Sequence, residues 1–112
     1  MATFTLQPLD GSGLLAASIS STSATITAIT GVTGQNIRVY KIFLVVTATV
    51  TVKFQDGSTD LTGAMSLANN GAITLDLDGQ PWFTCTRGNS FTIVQSSTTQ
   101  VSGTVYYTVN QY

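Results

Sequence analysis

The chain has no histidine, no glutamate, one cysteine and two prolines in 112 residues, and only 8% of it is charged. Each shortage excludes something. Without histidine, no serine or cysteine has the usual general base beside it. One cysteine and no histidine leave zinc without its common ligand sets. A glycosidase pair would have to come from the five aspartates, Asp10, Asp56, Asp60, Asp76 and Asp78. No glycine-rich loop ends on a lysine to cradle phosphates. The expectation is a protein that is not an enzyme and needs no cofactor.

Cys85 has no partner for an internal disulfide, so the fold does not depend on an oxidising compartment. A small buried apolar side chain is its expected state. The bases are Arg38, Lys41, Lys53 and Arg87, and the net charge is -1. That is no basic stripe for nucleic acid and no polybasic patch for a membrane. The longest apolar run, Ile42 to Val46, is too short to cross a bilayer. Met1-Ala2-Thr3-Phe4 has neither the charged region nor the apolar region of a secretory signal, so the protein is expected in the cytosol or assembled there.

What is present is enough to fold. The hydrophobic fraction is 43%, which at this length supports one domain with one core and argues against disorder. The solvent face must then be built mainly from Thr, Ser, Asn and Gln. Such a surface keeps copies apart poorly, and suits a protein that packs against its own copies or a larger surface.

Alternation and turn residues give the class. Phe4 and Leu6 share a face in Ala2 to Gln7, and Pro8 and Asp10-Gly11-Ser12-Gly13 stop that run. Leu14 to Ile19 and Ala24 to Ile29 read as strands. Asn36 to Ala48 reads as a long central strand, alternating at first and then apolar on both faces, as at a subunit contact. Thr49 to Phe54, a weak Ala64 to Ala68, Ala72 to Leu77, a short edge Pro81 to Cys85, Phe91 to Gln95 and Gln100 to Val109 follow. Asp56-Gly57, Gly63, Asn69-Asn70-Gly71, Asp78-Gly79 and Arg87-Gly88-Asn89 separate them. The expected fold is all-β: one antiparallel β-sandwich over residues 1–112, jelly-roll-like, of about eight short strands, with residues 1–12 as a candidate N-terminal arm.

A few residues invite a chemical reading. Asp76 and Asp78 lie two apart and share a face on a strand, as a metal or acid–base pair would. Asp78 also opens a turn, and the turn reading is preferred. Pro81-Trp82-Phe83 is the densest aromatic spot and fits core filling, a subunit contact or a sugar platform. Tyr106 and Tyr107 alternate, so one points outward, as an interface tyrosine or as a cross-strand pair. Arg38 and Lys41, three apart, fall on opposite faces of a regular strand. The candidate interface residues are Phe4, Leu6, Trp82, Phe83 and Tyr106.

From Ile37 to Tyr107 the chain resembles small virion proteins encoded with the head and tail genes of tailed bacteriophages. The resemblance rests on Phe54-Gln55-Asp56-Gly57, Leu61-Thr62-Gly63, Asn70-Gly71, Leu75-Asp76, Gly79-Gln80-Pro81-Trp82-Phe83-Thr84, Gly88-Asn89-Ser90-Phe91 and Val101-Ser102-Gly103-Thr104-Val105-Tyr106-Tyr107. It is similar to capsid decoration, or cement, proteins. The resemblance implies a β-sandwich, often trimeric, on the outside of the head, with the major capsid protein as partner and the virion as location. A carbohydrate- or receptor-binding module of a tail or fibre is the alternative, with Trp82 exposed.

Overall fold

The computed structural model describes residues 14–110. The expected Ala2 to Gln7 strand, the arm over residues 1–12, and Phe4 and Leu6 lie outside the described residues. Within them the protein is all-β, with strands β1 (Leu15–Ser21), β2 (Thr25–Ile29), β3 (Asn36–Val46), β4 (Val50–Asp56), β5 (Thr59–Asp60), β6 (Met65–Leu67), β7 (Ala72–Leu75), β8 (Phe83–Thr84), β9 (Phe91–Gln95) and β10 (Val101–Asn110). The weak Ala64 to Ala68 segment and the Pro81 to Cys85 edge both contain strands. β5 had no signal, being a two-residue return after the Asp56-Gly57 turn.

The strands form two antiparallel sheets. The front sheet runs β1-β10-β3, and the far edge of β3 is shared by β7 and β8; the back sheet runs β2-β9-β4, and the far edge of β4 is shared by β5 and β6. Partners are nested about one point. Leu15 pairs with Tyr107, Ile26 with Ile93, Arg38 with Thr84, Val45 with Ala72, Val52 with Met65 and Asp56 with Thr59. The described chain is therefore one long hairpin that folds back at Gly57-Ser58 and is then rolled, so that β10 also pairs with β3 and β9 with β4. Gly57 takes φ +63° at the first of the two turn positions, as a two-residue hairpin of the II′ kind requires.

The core lies between the sheets. Ile37, Val39, Ile42, Leu44, Val46, Val101 and Val105 come inward from the front sheet, and Ile26, Val50, Val52, Phe54, Phe91 and Ile93 from the back; all are buried. Phe54, Phe83 and Phe91 form a ring cluster, with centroids 5.5, 5.6 and 5.9 Å apart, inside the 4.5–7 Å range in which aromatic pairs attract.

A bulge explains the odd pattern of β3. Lys41 pairs with Tyr106 but Val39 with Tyr107, so Tyr40 is an extra residue and the alternation shifts by one. Ile37 and Val39 before it, and Ile42, Leu44 and Val46 after it, all face the core. Two expectations change as a result. The second half of β3 is not buried on both faces in the single chain, because Phe43 is 46% exposed. Arg38 and Lys41 do not fall on opposite faces, because the extra residue turns both outward.

Cys85 is a buried member of this core, and its amide donates to the Ile37 carbonyl. Burial first, and the negative charge of Asp56 second, push its thiol up to about 12. Near neutral pH its thiolate population is roughly a thousandfold below that of an ordinary exposed cysteine. The native protein should therefore be silent to Ellman's reagent, and one thiol should appear in step with unfolding by urea. Rapid labelling in the absence of denaturant would show that the sandwich opens around β8.

Candidate interaction face

The outer surface of the front sheet is built row by row from cross-strand partners. Ser20, Ser102, Val45 and Ala72 make one row, Ser18, Thr104, Phe43 and Thr74 the next, and Ala16, Tyr106 and Lys41 the third, with Asp76 just past the end of β7. Small hydroxyl and methyl side chains surround one exposed phenyl ring. The outer face of the back sheet differs. Its shallow depression is lined by Thr51, Lys53, Ala64, Val94, Gln95 and Ser96, without an aromatic.

The rows of the front sheet enclose a depression of about 260 Å³ lined by Lys41, Phe43, Thr74, Asp76, Thr104 and Tyr106. The Lys41 ammonium lies 5.6 Å from the centre of the Tyr106 ring, a cation–π distance that holds the two side chains side by side. Lys41 and Asp76 line the same depression without forming an ion pair with each other. Trp82 lies next to Asp76, one of the lining residues. Its Nε1–H donates to the Asp76 carbonyl oxygen at 2.7 Å, and its backbone N–H donates to the Val39 carbonyl at 2.8 Å. The indole is thereby fixed beside Asp76, and the side chain is 44% exposed.

The candidate residues separate. Trp82 and Tyr106 come to the same outer face. Phe83, next to Trp82, points the other way into the ring cluster with Phe54 and Phe91, where it is half-buried. Asp78 opens a turn at Gly79 (φ +80°), and among the described residues no three Cys, Asp, Glu or His side chains gather as a metal-binding group.

No protein-family model, curated protein or solved structure matches this chain.

Sequence reasoning missed Phe43, Thr74 and Thr104 and treated Lys41 as solvated. The signal for Phe43 was its place between Ile42 and Leu44. Two core residues two apart put the residue between them outside, once the bulge fixes the parity. Nothing local to Thr74 or Thr104 marks them; only the pairing of Phe43 with both brings them together.

Proposed function

We propose that the protein is a structural virion component, a capsid decoration protein that binds the outside of a phage head as a homotrimer. In this reading the sandwich is a jelly roll. Support comes from the nested pairing: with β5/β6 and β7/β8 each counted as one split strand, the hairpin has eight strands wound into two sheets.

The observation that carries the reading is an apolar end of the sandwich that is exposed among the described residues. Leu15 pairs with Tyr107, which packs on the core, and Val109 lies two residues further along the same face. All three therefore point to the inner side of the front sheet, yet Leu15 is 50% exposed and Val109 37%. Inward-facing apolar side chains that stay wet lower their free energy when a second surface covers them. The low charge of the chain removes the repulsion that would keep copies apart.

The mechanism is linkage. A protein that binds the assembled shell and not its separated subunits shifts the equilibrium toward the shell. The partner would be the major capsid protein, and the location the outer capsid surface after assembly in the host cytoplasm. Light scattering behind a sizing column should give three times the 11.8 kDa chain mass, and Leu15→Ser with Val109→Ser should shift it toward the monomer. The trimer should then co-sediment with undecorated heads, more weakly when residues 2–7 are deleted. A strict monomer at every concentration would remove the trimer. Failure to bind undecorated heads of the phage whose genes encode the protein would remove the decoration reading.

A further inference from the structure

We propose that the depression on the outer face of the front sheet binds one ring of a neutral saccharide. A sugar ring has an apolar C–H face and a girdle of hydroxyls that donate and accept. The depression offers both halves of that chemistry. Phe43 and Tyr106 supply apolar ring surface. The Asp76 carboxylate accepts, the Lys41 ammonium donates, and the Thr74 and Thr104 hydroxyls do either. The wall groups carry one positive and one negative charge and no ion pair joins them, so hydroxyls can bridge both. An acidic sugar would gain Lys41 but meet Asp76, which is why the preferred ligand is neutral.

Size and framing point the same way. At about 260 Å³ the depression falls below the roughly 300–1,000 Å³ of drug-sized pockets and is open enough for one ring of a longer chain to rest in it. The neighbouring row is Ser20, Ser102, Val45 and Ala72, in which one half-buried valine is the largest apolar side chain and no aromatic is present. A protein partner of standard size would need about 800 Å² of matched surface, with its anchors near the centre of a larger patch. Trp82 lies beside the site without being one of its lining residues. Its N–H is already committed to the Asp76 carbonyl, so it has no donor left for a sugar hydroxyl. That bond also fixes the backbone carrying the Asp76 carboxylate.

This site does not rest on the decoration reading, because a trimer on a head and a free monomer would carry it alike. Trp82 is the only tryptophan and reports locally. The probes are the methyl glycosides of glucose, galactose, mannose and N-acetylglucosamine, with maltose, cellobiose and lactose. Each is titrated to about 50 mM, which reaches interactions of millimolar Kd. The expected result is a saturable change in Trp82 emission with at least one probe, accompanied by saturation transfer from the protein to the sugar ring protons. Phe43→Ala and Asp76→Asn should each weaken binding about tenfold or more while the thermal melt stays in place, since both side chains point outward. Three outcomes would overturn the proposal: no saturable response to any probe; a response unchanged in both variants; or loss of self-association in Phe43→Ala, which would assign the face to copies of this chain.

Discussion

Replacing Gly103 with alanine should destabilise the protein by about 3 kcal/mol or more, among the larger effects a single methyl can have. Gly103 lies in β10, between Leu44 of β3 and Ile19 of β1. Its φ is +155°, which side-chain-bearing residues rarely adopt, and a Cβ there would be driven against the Phe43 carbonyl oxygen and sit 2.9 Å from the Leu44 Cα. The obstacle is backbone in the central strand of the front sheet, held by pairing on both edges, so it has little room to give. The melting temperature should fall by roughly 10–20 °C. Gly63→Ala is the matched control. A Cβ there meets nothing within 4 Å and φ lies outside the left-handed range, so it should be neutral or stabilising by about 0.5 kcal/mol through the unfolded chain. Urea melts of both variants check the pair. A Gly103→Ala protein within about 1 kcal/mol of the parent would mean that β10 and β3 do not approach as closely as this.

The second large effect is expected at Asp56. This carboxylate is buried beside the hairpin tip and ties it to the loop before β9. Thr86 donates to Oδ2 from its backbone N–H at 2.9 Å and from its hydroxyl at 2.7 Å, and the Asn89 amide donates to Oδ1 at 3.0 Å. Burial acts to raise the Asp56 pKa, but the hydrogen bonds from Thr86 and Asn89 together outweigh it and hold the carboxyl below its ordinary 3.8. Asp56→Ala removes the acceptor and strands these donors, at a cost of about 2–4 kcal/mol. Asp56→Asn keeps one oxygen and should fall between.

The sign of the pH dependence follows from the lowered value. The carboxylate's contribution is fully present above the unfolded pKa and is lost as pH falls through the folded one. Denaturant midpoints should therefore drop below about pH 4 in the parent and less steeply in Asp56→Asn. The residual slope in that variant belongs partly to Asp60, which Gln55 and Lys53 hold down as well. Identical acid profiles for the two proteins would show that the tie does not form.

The chain shows why a face is harder to read than a core. Val50, Val52 and Phe54 announce themselves by strict alternation, and all three are buried. β10 is as clear, with Val101 and Val105 in the core and Tyr106 outside, where it lines the depression. β3 misleads because one bulged residue, Tyr40, reverses the parity halfway along it. Alternation read straight through then makes both faces look apolar and hides Phe43. Pro81-Trp82-Phe83 could be read as an aromatic spot but not divided. Phe83 fills the core and Trp82 reaches the surface because β8 pairs with β3 at Val39 and alternates from there.

By itself the sequence determined the all-β class, most of the strands and turns, and the inward residues wherever the period of two ran unbroken. These follow from nearest-neighbour stereochemistry, since glycine and asparagine at positive φ and β-branched runs act over a few residues. The tertiary structure alone decided the nested pairing about Gly57-Ser58, the bulge at Tyr40, the close approach at Gly103, the Asp56 tie across 30 residues and the gathering of Phe43, Tyr106, Lys41, Asp76 and Trp82 on one face. Each of these joins residues distant in sequence. Their energies depend on which strands meet and in what register, and that is settled by how two sheets close over one core.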